Sequence, residues 1–180
     1  MSSIDPKAPP IVIQLSKDAV AESQLDTAIR LWARYGDPVS ILTLASASNG
    51  CYKVLAGSIG KPSYFETWLL SKSQAFQDRT RYAINWVKHG LKDMKKNPKY
   101  HPIIAEALIV DSIECHDALF GSRTHLMGLF LARYAIEHPS ESSRKLALSI
   151  TKSLGVDDLL NGDRTEFFKK ALERLSSSSL

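Results

Sequence analysis

Arg81, Asn85 and His89 stand at i, i+4 and i+8 in the run RTRYAINWVKHG, a spacing that lines them along one stripe of a helix. An arginine, an amide and an imidazole on one face can bind and cleave a phosphodiester. The guanidinium neutralises phosphate charge, and the imidazole moves a proton near neutral pH. The competing reading of the same stripe is a solvated helix face, with His89 interacting with the dipole at the helix end. The cations continue beyond it: Lys88, Lys92, Lys95, Lys96 and Lys99 have only Asp93 against them. Such a run can hold RNA, DNA or another polyanion by its phosphates, or stand as a solvated loop. Residues 79–101 carry seven Lys and Arg and one Asp, whereas the whole chain of 180 residues has a net charge of +4. The mild basic bias is therefore local, and the rest of the chain is slightly acidic.

Asp111, Glu114 and Asp117 lie three apart in an otherwise apolar stretch and share a helix face. A buried acid there can pair with Arg81 or His89, or help hold a metal. The metal reading is weak, because there is no HExxH. The ExxH units of a di-iron bundle fail as well, since Ile109, Asp117, Ser140 and Arg144 stand three residues after Glu106, Glu114, Glu137 and Glu141. A structural ion pair between helices is the better expectation. Arg133 and His138, in RYAIEH, form a further Arg/His pair. GxSxG, Walker A and GxGxxG motifs are absent. Trp32, Trp68 and Trp86 read as core anchors rather than stacking platforms. Cys51 and Cys115 form no CxxC pair, which excludes a cysteine zinc site and a disulfide framework and leaves both as small hydrophobes.

The elements that must position these residues are helices. With 44% hydrophobic and 23% charged residues, and only 9 Gly and 8 Pro, the composition is that of a globular protein built of long elements. One helix spans about 17–35, with Ser16 as cap, Gly36 as stop and an apolar face of Leu25, Ala28, Ile29 and Trp32. Asp37-Pro38 opens a second, whose small residues Ala45 to Ser48 permit close approach by another helix. A short helix follows at about 64–70, then one at 74–89 with Tyr82, Ala83, Trp86 and Val87 inward. Pro102 to Phe120 reads as a central buried helix ending at Gly121. Three more start near Ser122, Ser140 and Asp163, the last with Asp163 and Glu166 as a capping-box-like pair. Residues 11–15, IVIQL, read as a short strand or extended arm. The first ten residues lack the basic and apolar regions of a secretory signal, and no apolar run reaches the length that spans a bilayer.

Two stretches carry a resemblance. QLDTAIRLW followed by GDPVSILTLASAS, residues 24–48, and NWVKHG with the later ALIVDSIE resemble a family of small uncharacterised helical bacterial proteins over most of 12–140. The chain departs from that family's pattern at Leu42, where a His is expected before Thr-Leu-Ala. This resemblance implies a helical fold and a bacterial source, and assigns no activity. A more distant similarity is to HEPN domains, helical bundles that often act as ribonucleases and are marked by Arg-x4-6-His. Arg133 and His138 satisfy that spacing, and Arg81 and His89 do not. The similarity implies a metal-independent ribonuclease or an RNA binder.

The fold expected is all-α: a single bundle of six to eight helices with short loops over residues 10–175, between a disordered segment 1–9 and a disordered tail 176–180. The function expected first is a non-catalytic binding or interaction module of the bacterial cytoplasm, with the HEPN-like ribonuclease or RNA-binding reading second and a metal-binding bundle third. Whether the chain is an enzyme stays open. Arg81, Asn85, His89 and Asp111 are the catalytic candidates, with Arg133 and His138 as the alternative pair. Lys88, Lys92, Lys95, Lys96 and Lys99 are the polyanion candidates. No cofactor and no metal are expected. The candidate partners are a second copy of the chain, another protein, or RNA through residues 79–101, and no membrane.

Overall fold

A computed structural model describes residues 14–89 and 98–177. Among them the regular structure is entirely helical: α1 (Lys17–Ala33), α2 (Pro38–Gly57), α3 (Tyr64–Leu70), α4 (Gln74–His89), α5 (Ile103–Phe120), α6 (His125–Glu137), α7 (Glu141–Ser153) and α8 (Arg164–Ser177), with a 3-10 turn at Asp157–Leu159. The expected all-α bundle is the fold observed. Residues 1–13 lie outside the described part, and with them most of the expected arm at 11–15. Gln14, Leu15 and Ser16 are exposed and form no strand. The helix α8 runs to Ser177, two residues into the stretch read from sequence as tail.

Local chemistry explains most of the helix ends. Asp37 accepts the Ser40 amide at 2.7 Å, with Pro38 in the first turn. Ser63 accepts the Glu66 amide, and Ser140 and Ser143 form a reciprocal capping box. Two ends differ from expectation. The helix α6 starts at His125 and not at Ser122, because the Thr124 hydroxyl accepts the Met127 amide at 3.2 Å. Of the Asp163–Glu166 pair only half forms: Asp163 accepts the Glu166 amide, while the Glu166 side chain turns to Lys170. At the end of α1, Tyr35 takes the left-handed conformation (φ 52°). Gly36 is needed for space rather than for φ, because a Cβ there would stand 3.0 Å from the Leu31 carbonyl.

The helix α5 is the centre of the molecule, burying residues all round from Ile104 to His116. It packs along α2, which packs in turn along α1 on its other side. The expected small-residue contact is there: Ala45 and Ser48 are buried, and the Ser48 hydroxyl donates to the Ala21 carbonyl of α1 at 2.8 Å. The helix α4 rests on α2. Its most buried side chains are Gln77, Thr80 and Ala83, whereas Tyr82 and Trp86 are half-buried. The inward stripe is thus rotated from the one expected, because the smallest side chains take the closest approach. No helix among the described residues is long and apolar enough to cross a membrane.

Candidate functional site

The short helix α3 has a concave region on each flank. Its position is set by Asp111, the most enclosed acid among the described residues. The Asp111 carboxylate is fully buried and accepts three hydrogen bonds: from the Asn49 side-chain amide at 2.7 Å, the Ser63 hydroxyl at 2.9 Å and the Phe65 backbone N–H at 3.1 Å. The last two donors belong to the first turn of α3, where free N–H groups and the helix dipole favour a negative charge. Asp111 therefore pins α3 to α5 and α2. It contacts neither Arg81 nor His89. Of the other acids on its face, Glu114 and Asp117 both go to Arg123, at 3.1 and 2.9 Å.

On one flank of α3 lies a cleft of about 270 Å³ whose lining includes Arg81, Asn85 and Lys88 of α4, Asn49 and Lys53 of α2, and Glu66 of α3. Two of the four catalytic candidates, Arg81 and Asn85, thus share one cleft. Asp111 lies one layer beneath, behind Asn49. His89, the last residue of α4, is exposed and outside the cleft. Glu66 accepts from Lys53 at 2.6 Å and faces Arg81 at 3.6 Å. The hydrogen bond from Lys53, and the charges of both cations, hold its carboxyl below the usual value against the opposing effect of burial. Lys88 lies across Gly50, its Nζ 3.5 Å from where a Cβ would stand, and burial lowers the pKa of its ammonium. Of the polyanion candidates, Lys92, Lys95 and Lys96 fall outside the described residues, and Lys99 is exposed.

The other flank opens on a larger groove of about 630 Å³ between α3, α5, α6 and α7. Its walls include Val110, Leu131 and Ala135, the rings of Tyr64 and Tyr134, and the imidazole of His138. The His138 ring lies tilted against Tyr134, with centroids 4.4 Å apart, and its Nε2 lies 2.9 Å from Oε2 of the buried Glu106. The other oxygen of Glu106 accepts from Trp32 Nε1 at 2.9 Å. This contact occupies Nε2 and leaves the other ring nitrogen, Nδ1, for another partner. Burial raises the Tyr134 hydroxyl's pKa, with the charges of Glu106 and Tyr64 adding to it. It thus stays a neutral hydrogen-bonding group at physiological pH. Lys61 and Arg123 supply the groove's cations.

The alternative pair does not come together. Arg133 donates to Glu137 at 2.7 Å and to the Gly162 carbonyl at 2.6 Å, while His138 turns to Glu106. Glu137 is shared with Arg164, which bonds both carboxylate oxygens and also donates to the Trp32 carbonyl. The Arg164 guanidinium lies 3.7 Å from the Trp32 ring centroid and 4.5 Å from that of Tyr35. This stacking favours the strained Tyr35 conformation. The thread Trp32–Glu106–His138 escaped the sequence reading, which weighed Glu106 only as a failed metal ligand; its one signal was an acid inside an apolar run. Among the described residues no group of three or more His, Cys, Asp or Glu side chains is placed to hold a metal ion. Comparison with known protein families, with curated proteins and with solved structures finds no match.

Proposed function

We propose that this chain is a non-catalytic binding module of the cytoplasm, and that its ligand is a small, largely apolar molecule carrying one carboxyl or hydroxyl group. The observation that carries the reading is the groove beside α3. Its volume of about 630 Å³ falls in the range of small-molecule sites, which are mostly apolar with a few placed polar groups. The placed polar groups here are the imidazole of His138, oriented from behind by Glu106, and the neutral hydroxyl of Tyr134. Lys61 favours a negatively charged end on the ligand, whereas Arg123 is already answered by Glu114 and Asp117. A non-catalytic role is supported by the state of the interior charges. Glu137, Arg133 and Arg164 are engaged with one another and with backbone carbonyls, Asp111 with an amide, a hydroxyl and a backbone N–H, and Glu106 with the Trp32 indole and the His138 imidazole. Arg133 and His138, the pair with the HEPN spacing, have no partner in common among the described residues, and His89 stands in solvent outside the cleft of Arg81.

The reading is tested by titrating the protein with 1-anilinonaphthalene-8-sulfonate, an apolar anion of suitable size, and displacing it with decanoate. Thr67 and Leu146 are exposed groove residues, so Thr67→Trp and Leu146→Asp alter the groove without touching the core. The expected result is saturable, one-to-one binding to the wild type that decanoate displaces. Both variants should lose it, with circular dichroism and melting temperature unchanged. Binding that is equal in all three proteins, or that decanoate does not displace, would refute the reading.

A further inference from the structure

The cleft on the opposite flank of α3 has a different chemistry from the groove, and the inference drawn from it stands independently of the groove's ligand. Its charged lining residues are Lys53, Arg81, Lys88 and Glu66, three cations against one anion, which leaves a surplus of two positive charges. Glu66 answers Lys53 and Arg81 together, so each keeps unused N–H donors. Lys88 has no hydrogen bond or ion pair among the described residues, although its ammonium lies inside the cleft, over the Cα of Gly50. Asn85, one turn before it, likewise has an amide without a partner among the described residues. Lys88 is exposed at the cleft mouth, so its ammonium is open to an anion from solvent and has no protein counter-charge among the described residues to displace.

We infer that the cleft between α2, α3 and α4 binds a phosphomonoester dianion, with Lys88 as its principal contact and Arg81, Lys53 and Asn85 as the donors around it. The surplus of two charges matches a phosphomonoester, which carries about −1.5 to −2 at pH 7, and exceeds what a carboxylate answers. The volume, about 270 Å³, holds a phosphate group and a small organic portion. The cations converge on one cleft from two helices, Lys53 from α2 and Arg81 and Lys88 from α4, which suits a single compact anion rather than the row of phosphates along a nucleic acid strand. The floor of the cleft at Gly50 has no side chain, and a Cβ there would come into ordinary contact with the Lys88 ammonium at 3.5 Å. The lowered pKa of the Lys88 ammonium agrees with a cation short of its counter-charge.

The test is a titration of 15N-labelled protein with methyl phosphate, with acetate and chloride at matched ionic strength, and with a twelve-nucleotide single-stranded RNA as separate arms. The expected result is a saturable shift of the Gly50 amide and the Asn85 side-chain amide with methyl phosphate alone. Affinity should fall as the pH is lowered from 7.5 to 5.5 and the probe becomes a monoanion. Lys88→Gln and Arg81→Gln should each weaken it about tenfold or more, the usual scale for losing a charge-assisted hydrogen bond. Lys99→Gln, an exposed cation outside the cleft, should leave it unchanged. Three results would overturn the assignment: equal shifts with acetate or chloride, equal affinity in all variants, or no shift at all. Binding of the RNA, lost in Lys99→Gln as much as in Lys88→Gln and without a response to methyl phosphate, would overturn it in favour of a strand-binding surface.

Discussion

The Asn49 side-chain amide donates to Asp111 at 2.7 Å, so the wall of the cationic cleft is tied to the acid that pins α3. Asp111→Ala leaves that amide, the Ser63 hydroxyl and the Phe65 N–H without their acceptor. At about 1–3 kcal/mol for each unsatisfied buried group, the expected loss is about 3 kcal/mol or more, read by urea denaturation. Hydrogen exchange at Phe65 should accelerate more than exchange in α5. A loss below about 1 kcal/mol would mean that water replaces the carboxylate and that α3 is held elsewhere.

Glu137 gives the acid dependence of stability a specific source. Burial alone would raise its carboxyl, but the hydrogen bonds and charges of Arg164 and Arg133 outweigh burial and hold it below its usual value of 4.5. A carboxyl lowered in the folded state contributes stability that is complete above that usual value. The contribution is lost as pH falls through the folded value. Glu137→Gln is therefore expected to cost about 3 kcal/mol at pH 7, the scale for leaving a buried cation unpaired. It should also flatten the decline of melting temperature below pH 4.5. A variant whose acid profile parallels the wild type would remove Glu137 from the account.

Asp26 carries the opposite sign. Burial raises its carboxyl and Glu22 adds to this, against the opposing charges of Arg30 and His116. One of its oxygens is buried with no hydrogen-bond partner. Its folded value lies above the usual 3.8, so the ionised form destabilises the fold at neutral pH. That cost disappears as pH falls through the folded value. Asp26→Asn is expected to raise stability by about 1 kcal/mol at pH 7 and by nothing near pH 3. Denaturation curves of both proteins at the two pH values check the sign.

The two thiols should separate cleanly. Burial pushes the Cys115 thiol up to about 11, with the negative charge of Asp111 adding to it. Cys51 is only partly buried. Because the thiolate is the reactive form, iodoacetamide at pH 8 should label Cys51 in the native protein and both residues in urea. Mass spectrometry of the peptides reads this directly, and native labelling of Cys115 would show that α5 opens more readily than its burial implies.

The helices and most of their ends were determined by the sequence on its own, because the forces that set them act within a turn. Asp37 and Pro38 open α2, Ser63 caps α3 and Gly121 closes α5 with a φ of 70°. The adjacency of Arg81 and Asn85 was legible for the same reason, since four residues return to one face. The start of α6 was not, because Ser122 and Thr124 are both sound caps and packing chose between them. What only the tertiary structure decided is what each stripe meets. Asn49 reaches Asp111 across 62 residues, Trp32 reaches Glu106 across 74, and Arg164 reaches the Trp32 carbonyl across 132. Helical periodicity says which residues share a face, but the rotation of that face depends on which side chains fit against the neighbouring helix. In α4 the small residues Thr80 and Ala83 took the contact. That rotation left His89 in solvent and turned Arg81, Asn85 and Lys88 into a cleft beside α3.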